Sequence, residues 1–195
     1  AAGVVVERDL GLEGQIIVKN SHYAYGIAAA NLYGNPSKKL KLIGVTGTNG
    51  KTTITYIVKG ILESLGKKVG LIGTIENVIG GIFLQATHTT PDPMQLQALF
   101  ARMVKAGCEY VVMEVSSHAL HQERLAGCRF ISAGFTNLTQ DHLDYHGTME
   151  EYFKAKKRLF AMSDFAVVNL DDKYGARLSG EIHIPHLTFS LGEQN

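Results

Sequence analysis

The chain has 195 residues, enough for one good-sized domain or for one domain with part of another. It is 45% hydrophobic and 19% charged, an ordinary composition for a folded chain with a buried core. With 19 basic and 18 acidic residues the net charge is +1, which points to neither nucleic acid nor an anionic membrane as a partner. No apolar run approaches membrane-spanning length, and the N-terminus lacks the basic flank of a signal peptide. The chain begins with Ala1 rather than Met, so a fragment or a trimmed product is expected. Val4-Val5-Val6 reads as a short strand, and Ser21 to Tyr33 as an alanine-rich helix ended by Gly34-Asn35-Pro36. Ser37-Lys38-Lys39 reads as a polar linker.

After this linker a regular alternation begins. A strand at 41–46 leads through a glycine-rich turn into a helix from Thr52 to Leu65, capped by Gly66. A strand follows at Val69 to Ile72, then a hairpin over Asn77 to Leu84 that turns on Gly80-Gly81. The next helix opens with Asp92 as N-cap and Pro93 as its first residue. Further strands are expected at Tyr110 to Glu114, Phe130 to Thr136, Ala166 to Asn169 and Ile182 to Phe189, with a helix from Thr148 to Met162. Such alternation predicts an α/β fold, a mainly parallel sheet with helices on both faces. Ligands of such sheets bind beyond the carboxyl ends of the strands, so the loops after the strands are where chemistry is sought. Cys108 and Cys128 have no metal-like spacing and sit beside predicted strands. They read as buried free thiols, from which residence in the cytoplasm is expected.

The run from Gly44 to Thr53, GVTGTNGKTT, carries the strongest chemical signal. Gly47-Thr48-Asn49-Gly50 lets backbone N–H groups converge on phosphate oxygens at a helix N-terminus. Lys51 would reach the β- and γ-phosphates, and the Thr52 hydroxyl would ligate magnesium. The strict P-loop spacing fails at one place, since Val45 stands where the first glycine belongs. Glu114 ends an apolar strand, and two readings stand for it: a second magnesium ligand or a strand-end acid facing solvent. Ser116, Ser117 and His118, which follow at the same sheet edge, favour a site. On the helix from Thr148 to Met162, Met149, Tyr152, Phe153, Leu159 and Phe160 form one stripe at about 100° per residue. Lys156 falls in its middle. Either it is buried, with a depressed pKa that makes the neutral amine accessible, or it snorkels to solvent. His142 and His146 have a spacing that suits zinc on a helix, but Gly147 and the neighbouring acids suggest a loop, with no third zinc ligand in view. A single histidine assisting magnesium is the better reading.

GVTGTNGKTT at 44–53, HTTPDP at 88–93, MEVSSHAL at 113–120, TNLTQDHLDYHGTMEEYFKAKKRLF at 136–160 and VVNLDD at 167–172 together resemble the Mur ligases of peptidoglycan synthesis. Within that family the best likeness is to the branch that adds the third residue to UDP-N-acetylmuramoyl-L-alanyl-D-glutamate. The family uses the variant loop with Val45. The resemblance implies that Gly47, Thr48, Asn49, Gly50, Lys51, Thr52 and Thr53 hold the phosphates of ATP. It also implies two magnesium ions, one on Thr52 and Glu114, the other on His142 and Lys156, with Lys156 carbamylated. Thr89, Thr90, Ser116, Gln122 and Arg124 would contact the UDP-N-acetylmuramoyl-dipeptide. The implied catalytic set is Lys51, Glu114, His142 and Lys156.

In the implied reaction the D-glutamate carboxylate attacks the γ-phosphate of ATP, giving an acyl phosphate and ADP, and the amine of a diamino acid, diaminopimelate or lysine, then displaces phosphate to give an amide. The family plan has three domains. Residues 1–36 resemble the end of the UDP-substrate-binding domain, and 37–195 a central ATPase domain incomplete at its C-terminal end, without the amino-acid-binding domain. A monomer is expected, and the fragment alone is expected to be inactive. Two alternatives remain: another ligase of the superfamily, such as folylpolyglutamate synthase, and a nucleotide-binding module without ligation activity.

Overall fold

The computed structural model describes residues 3–192. At the N-terminus, β1 (Val4–Val6) and β2 (Gln15–Ile17) pair in parallel as a separate two-stranded sheet. Helix α1 (Ser21–Leu32) follows, its first turn held by Asn20, whose side chain accepts from the Tyr23 N–H. Gly26, Ala29 and Ala30 are its buried residues, and small side chains let α1 pack closely on the rest of the chain. The expected linker at 37–39 is instead part of a 3-10 helix, Pro36–Lys39, with Pro36 and Ser37 buried. Proline at its first position and Asn35 in the left-handed region set that turn, so polarity alone was a poor guide there.

The main sheet has eight strands in the order β10-β9-β8-β3-β7-β4-β5-β6. In chain order these are β3 (Lys41–Thr46), β4 (Val69–Ile72), β5 (Glu76–Ile79), β6 (Ile82–Gln85), β7 (Tyr110–Glu114), β8 (Phe130–Phe135), β9 (Ala166–Asn169) and β10 (His186–Phe189). All neighbours are parallel except β4–β5 and β5–β6. The β5–β6 hairpin turns on Gly80 and Gly81, both at positive φ as its two-residue connection requires. The helices are α2 (Lys51–Ser64), α3 (Pro93–Lys105), α4 (Ser117–His121), α5 (Leu143–His146), α6 (Met149–Ala161) and α7 (Lys173–Glu181). Asp92 caps α3 by accepting from the N–H groups of Met94 and Gln95. Gly66 ends α2 in the left-handed region, with Lys67 N–H returning to Leu62 O.

Strand β3 is the axis of the sheet. Its side chains alternate between faces, as the pleat demands. Ile43 and Val45 line a cavity of about 290 Å³ together with Ile54 and Val58 of α2. On the other face, a Cβ on Gly44 would press against Phe130 and against Leu159 of α6. Helices therefore cover opposite faces of β3. The crossover through α2 leads from β3 to β4 on one side, whereas β8 leads through α6 to β9 on the other. The carboxyl ends of β3 and β8 thus flank a topological switch point, where open α/β sheets bind ligands.

Two expected elements differ. The last strand is His186–Phe189 rather than the longer 182–189, because 182–185 carries the chain from the end of α7 and includes Pro185. The segment around His142 and His146 is not simply a loop, since 143–146 forms the single turn α5. The core is continuous across β3, β7, β8, α3 and α6, with Leu42, Phe100, Val111, Phe130, Phe153, Leu159 and Phe160 all buried. Both cysteines are free and buried, as expected. Phe130→Ala should lower unfolding free energy by about 3–5 kcal/mol, read as a fall in the urea midpoint at unchanged slope.

Candidate functional site

The glycine-rich turn joins β3 to α2 and is braced from the neighbouring strand end. Thr48 N–H donates to Asn137 O (2.9 Å), and Asn49 N–H donates to Asn137 Oδ1 (3.0 Å). Thr48 Oγ1 donates to Thr139 O and accepts from Thr139 N–H (3.2 and 3.1 Å). Thr136 Oγ1 donates to Asn49 O at 2.7 Å. The backbone of 137 and 139 therefore acts as a template for Thr48, and the side chains of Thr136 and Asn137 as a template for Asn49. Gly47 makes this fit possible, because at φ +149 a Cβ there would overlap Thr136 Oγ1. Gly50, at φ +84, is the N-cap of α2. Lys51, Thr52 and Thr53 occupy the first turn of α2, with Thr52 half-buried and Thr53 exposed. The positive end of the α2 dipole faces this turn.

Two lysine amines converge on one carbonyl. Lys51 Nζ donates to Gly47 O (3.0 Å) and Thr48 O (2.8 Å), and Lys156 Nζ donates to Gly47 O at 2.8 Å. Lys156 is 1% exposed, which overturns the snorkelling alternative. It lies 4.6 Å from the centre of the Tyr152 ring, and no carboxylate stands within ion-pair distance of it among the described residues. Burial first, and then the nearby Lys51 charge, push the Lys156 pKa well below its ordinary value of 10.5. Burial also lowers the Lys51 pKa, against the opposing pull of Glu114 and Asp141.

Glu114 is 1% exposed at the end of β7, in register with Val45 of β3. It does not face open solvent. Its Oε1 accepts from Thr74 N–H (2.8 Å) and its Oε2 from the Thr74 hydroxyl (3.0 Å). Thr90, also 1% exposed, donates its hydroxyl to Glu114 O (2.9 Å) and accepts from Ser116 N–H (3.0 Å). Its side chain is thus committed to bolting two loops together, leaving half-buried Thr89 as the more available member of the pair. Arg124 donates from Nη1 to Thr90 O (2.8 Å) and grips Gln122 Oε1 through Nε and Nη2 (3.0 and 2.7 Å). Gln122 and Arg124 line a cleft of about 200 Å³ with His22, Tyr25, His88 and Asp92. Ser116 caps α4, accepting from Ala119 N–H.

His142 is exposed, in the left-handed region at φ +51, with its ring edge-on to His118 at 4.9 Å and 6.2 Å from Tyr152. It lies on the same side as Lys156 through Tyr152, whose hydroxyl is 3.3 Å from Thr48 Oγ1. His146 stacks on Tyr152 at 5.0 Å and bonds Ser117 Oγ (2.9 Å), and burial pushes its pKa down to about 4. Among the described residues no group of three or more His, Cys, Asp and Glu side chains is placed to hold a metal ion. Residues the sequence reading did not single out are Thr74, Thr136, Asn137 and Tyr152. The first three follow strands β4 and β8, where the parallel-sheet rule places chemistry. Tyr152 shares the helix face of Lys156.

An α/β sheet with a glycine-rich loop at its switch point, a first-turn lysine and a buried strand-end carboxylate defines an α/β domain of the P-loop type. Residues 45–195 match the family described as Mur ligase middle domain, and the chain belongs to that family. It is 53% identical over 176 residues to a UDP-N-acetylmuramoyl-L-alanyl-D-glutamate--2,6-diaminopimelate ligase of Clostridium tetani, covering 90% of this chain and 36% of the relative. A ligase of the same name from Geobacillus thermodenitrificans is 47% identical over 205 positions, covering 100% of this chain and 42% of the relative. A solved structure bearing that ligase name superposes with TM-score 0.84 at 34% identity, over 98% of this chain and 40% of the other. Escherichia coli FolC, at TM-score 0.64 and 20% identity over 94% of this chain and 48% of the other, shares the fold. The chain therefore spans 36–42% of the length of the relatives and the solved structure that bear that ligase name. No helix among the described residues is long and apolar enough to cross a membrane.

Two outcomes are expected. Gly47→Ala should abolish nucleotide binding, measured by calorimetry with ADP, because the loop cannot keep its template. Replacing Lys156 by Met should stabilise the metal-free protein near neutral pH. The depressed folded-state pKa means that folding releases a proton, so the penalty is full below that pKa and vanishes as pH rises towards 10.5. The stability gap between Lys156→Met and wild type, read by urea titration, should therefore shrink from pH 7 to pH 10.

Proposed function

We propose that this chain is the central ATPase part of a ligase that adds diaminopimelate to UDP-N-acetylmuramoyl-L-alanyl-D-glutamate. Residues 1–36 are read as the end of the substrate-binding domain and 37–195 as most of the ATPase domain. The observation that carries the reading is the pair Lys51 and Lys156 on Gly47 O, beside buried Glu114. Two desolvated amines with so few counter-charges suit a site that receives a polyanion. The names of the relatives supply the acceptor and the amino acid.

The residues fit the implied cofactors. Gly47 to Thr53 would cradle the ATP phosphates, with Lys51 turning from the Gly47 and Thr48 carbonyls towards them. Thr52 and Glu114 would hold one magnesium ion, and His142 with Lys156 the other. A neutral buried amine is the form that reacts with carbon dioxide, and the N–H of a carbamate would still be able to donate to Gly47 O. Bound magnesium would neutralise charge on the transferring phosphoryl group. Lys51 would stabilise the same charge from the loop side, while Thr89, Ser116, Gln122 and Arg124 would orient the muramoyl-dipeptide so that its D-glutamate carboxylate meets the γ-phosphate. Thr90 would act on substrate through the loops it bolts. The carboxylate oxygen would attack the γ-phosphorus and displace ADP, giving an acyl phosphate, a good acyl donor; the incoming amine would then add to the acyl carbon, expel phosphate and lose a proton to give the amide.

In the full-length protein, phosphate release from ATP should require UDP-muramoyl-dipeptide and diaminopimelate together. Release with folate and glutamate instead would favour the other branch of the superfamily. Lys156→Ala should reduce ligation by at least about 100-fold, the order expected when transition-state electrostatic stabilisation is lost. Full ligation by that variant would support a nucleotide-binding module without ligase chemistry. Gentle mass spectrometry should find one added carbon dioxide on Lys156.

A further inference from the structure

The turn after β4 meets the buried carboxylate with more care than a connecting turn needs. Thr74 N–H donates to Glu114 Oε1 at 2.8 Å, and Thr74 Oγ1 lies 3.0 Å from Glu114 Oε2, so both carboxylate oxygens are held by one residue. Gly73 leaves the room for this, since a Cβ there would sit 2.6 Å from Glu114 Oε1. Thr74 Oγ1 is also 3.0 Å from Thr89 Oγ1. A hydroxyl has one proton and a carboxylate only accepts, so the arrangement that satisfies every group has Thr89 O–H donating to Thr74 and Thr74 O–H donating to Glu114. Thr74 is exposed, and nothing in the packing of the core calls for its hydroxyl.

We infer that Gly73-Thr74 is a positioning clamp for the magnesium carboxylate, and that Thr74 links it to the substrate threonine Thr89. This rests on the proposed reading of Glu114 as a magnesium ligand. The clamp fixes the plane of the carboxylate before any cation arrives, as outer-shell partners do for metal ligands generally. A ligand that takes up the Thr89 hydroxyl changes the hydrogen bonding of Thr74, and through it the orientation of the Glu114 carboxylate. Occupation of the acceptor site and binding of the cation are thereby coupled, and the coupling is reciprocal.

The test uses the full-length protein with Thr74→Val, which keeps the N–H and the shape and removes the hydroxyl, and Thr74→Ser, which keeps both donors. Magnesium affinity is measured by calorimetric titration with ADP present, alongside ADP affinity without metal and thermal unfolding. Thr74→Val should weaken magnesium binding by about 10- to 100-fold, with metal-free ADP affinity unchanged, while Thr74→Ser stays within about two-fold of wild type, a difference of less than about 0.5 kcal/mol. Unchanged or tighter magnesium binding in Thr74→Val overturns the inference, and so does a Thr74→Ser protein as impaired as Thr74→Val. Glu114→Gln separates the two levels. If it loses magnesium while Thr74→Val keeps it, only the clamp is wrong; if it too keeps magnesium, the assignment of Glu114 falls.

Discussion

Everything at this site depends on how one carbonyl oxygen is shared. Gly47 O receives the amines of Lys51 and Lys156, which come from different helices on opposite faces of the sheet. Two like charges in a desolvated setting repel, so the arrangement persists only if one amine stays neutral or an anion arrives. Lys156, the more deeply buried of the two, is the one whose proton is most weakened. The glycine is therefore a junction as well as a flexible link, and the close approach of Thr136 leaves no room for a side chain on it.

That junction works because the sheet puts the right strand ends together. β3 lies between β7 and β8, so the loop leaving it has Glu114 on one side and Thr136-Asn137 on the other. Thr46 ties the first of these by donating to Val115 O at 2.8 Å. Asp172 ties the second: its Oδ2 accepts from Leu138 N–H while its Oδ1 caps α7 through Tyr174 and Gly175. A cap and a loop brace are thus one side chain. The acidic, basic and hydroxyl groups meet through backbone registers rather than through direct ion pairs.

Much of this was legible in the residues. The glycine run and lysine placed the loop, Asp92-Pro93 placed the start of α3, and the position of Lys156 among Tyr152, Phe153, Leu159 and Phe160 raised a buried amine as one of two readings, which only the fold decided. These are local signals, set by capping and periodicity. Other features were not legible because their causes are contacts between elements rather than local capping or periodicity. Strand β2 is three residues long and exists through its pairing with β1. Helix α7 carries Gly175 and Gly180, poor helix formers, yet Gly175 is needed where the backbone passes Asn169 O. Thr90 looked like a substrate residue and Thr74 carried no signal at all, and only the fold reveals that both hydroxyls are spent on Glu114.

The template formed by 136–139 has a consequence for how such a chain can vary. Most of its grip on Thr48 comes from main-chain atoms of Asn137 and Thr139, so the identities of Leu138, Thr139 and Gln140 matter less to the grip than their number. Changing a side chain at 139 or 140 leaves the donors and acceptors where they are. Inserting or deleting one residue between Asn137 and Thr139 would carry both main-chain contacts of Thr139 out of step with Thr48. From Leu138 to Gln140 the segment is constrained in length more than in composition, as a spacer is, whereas Thr136 and Asn137 are held to their side chains.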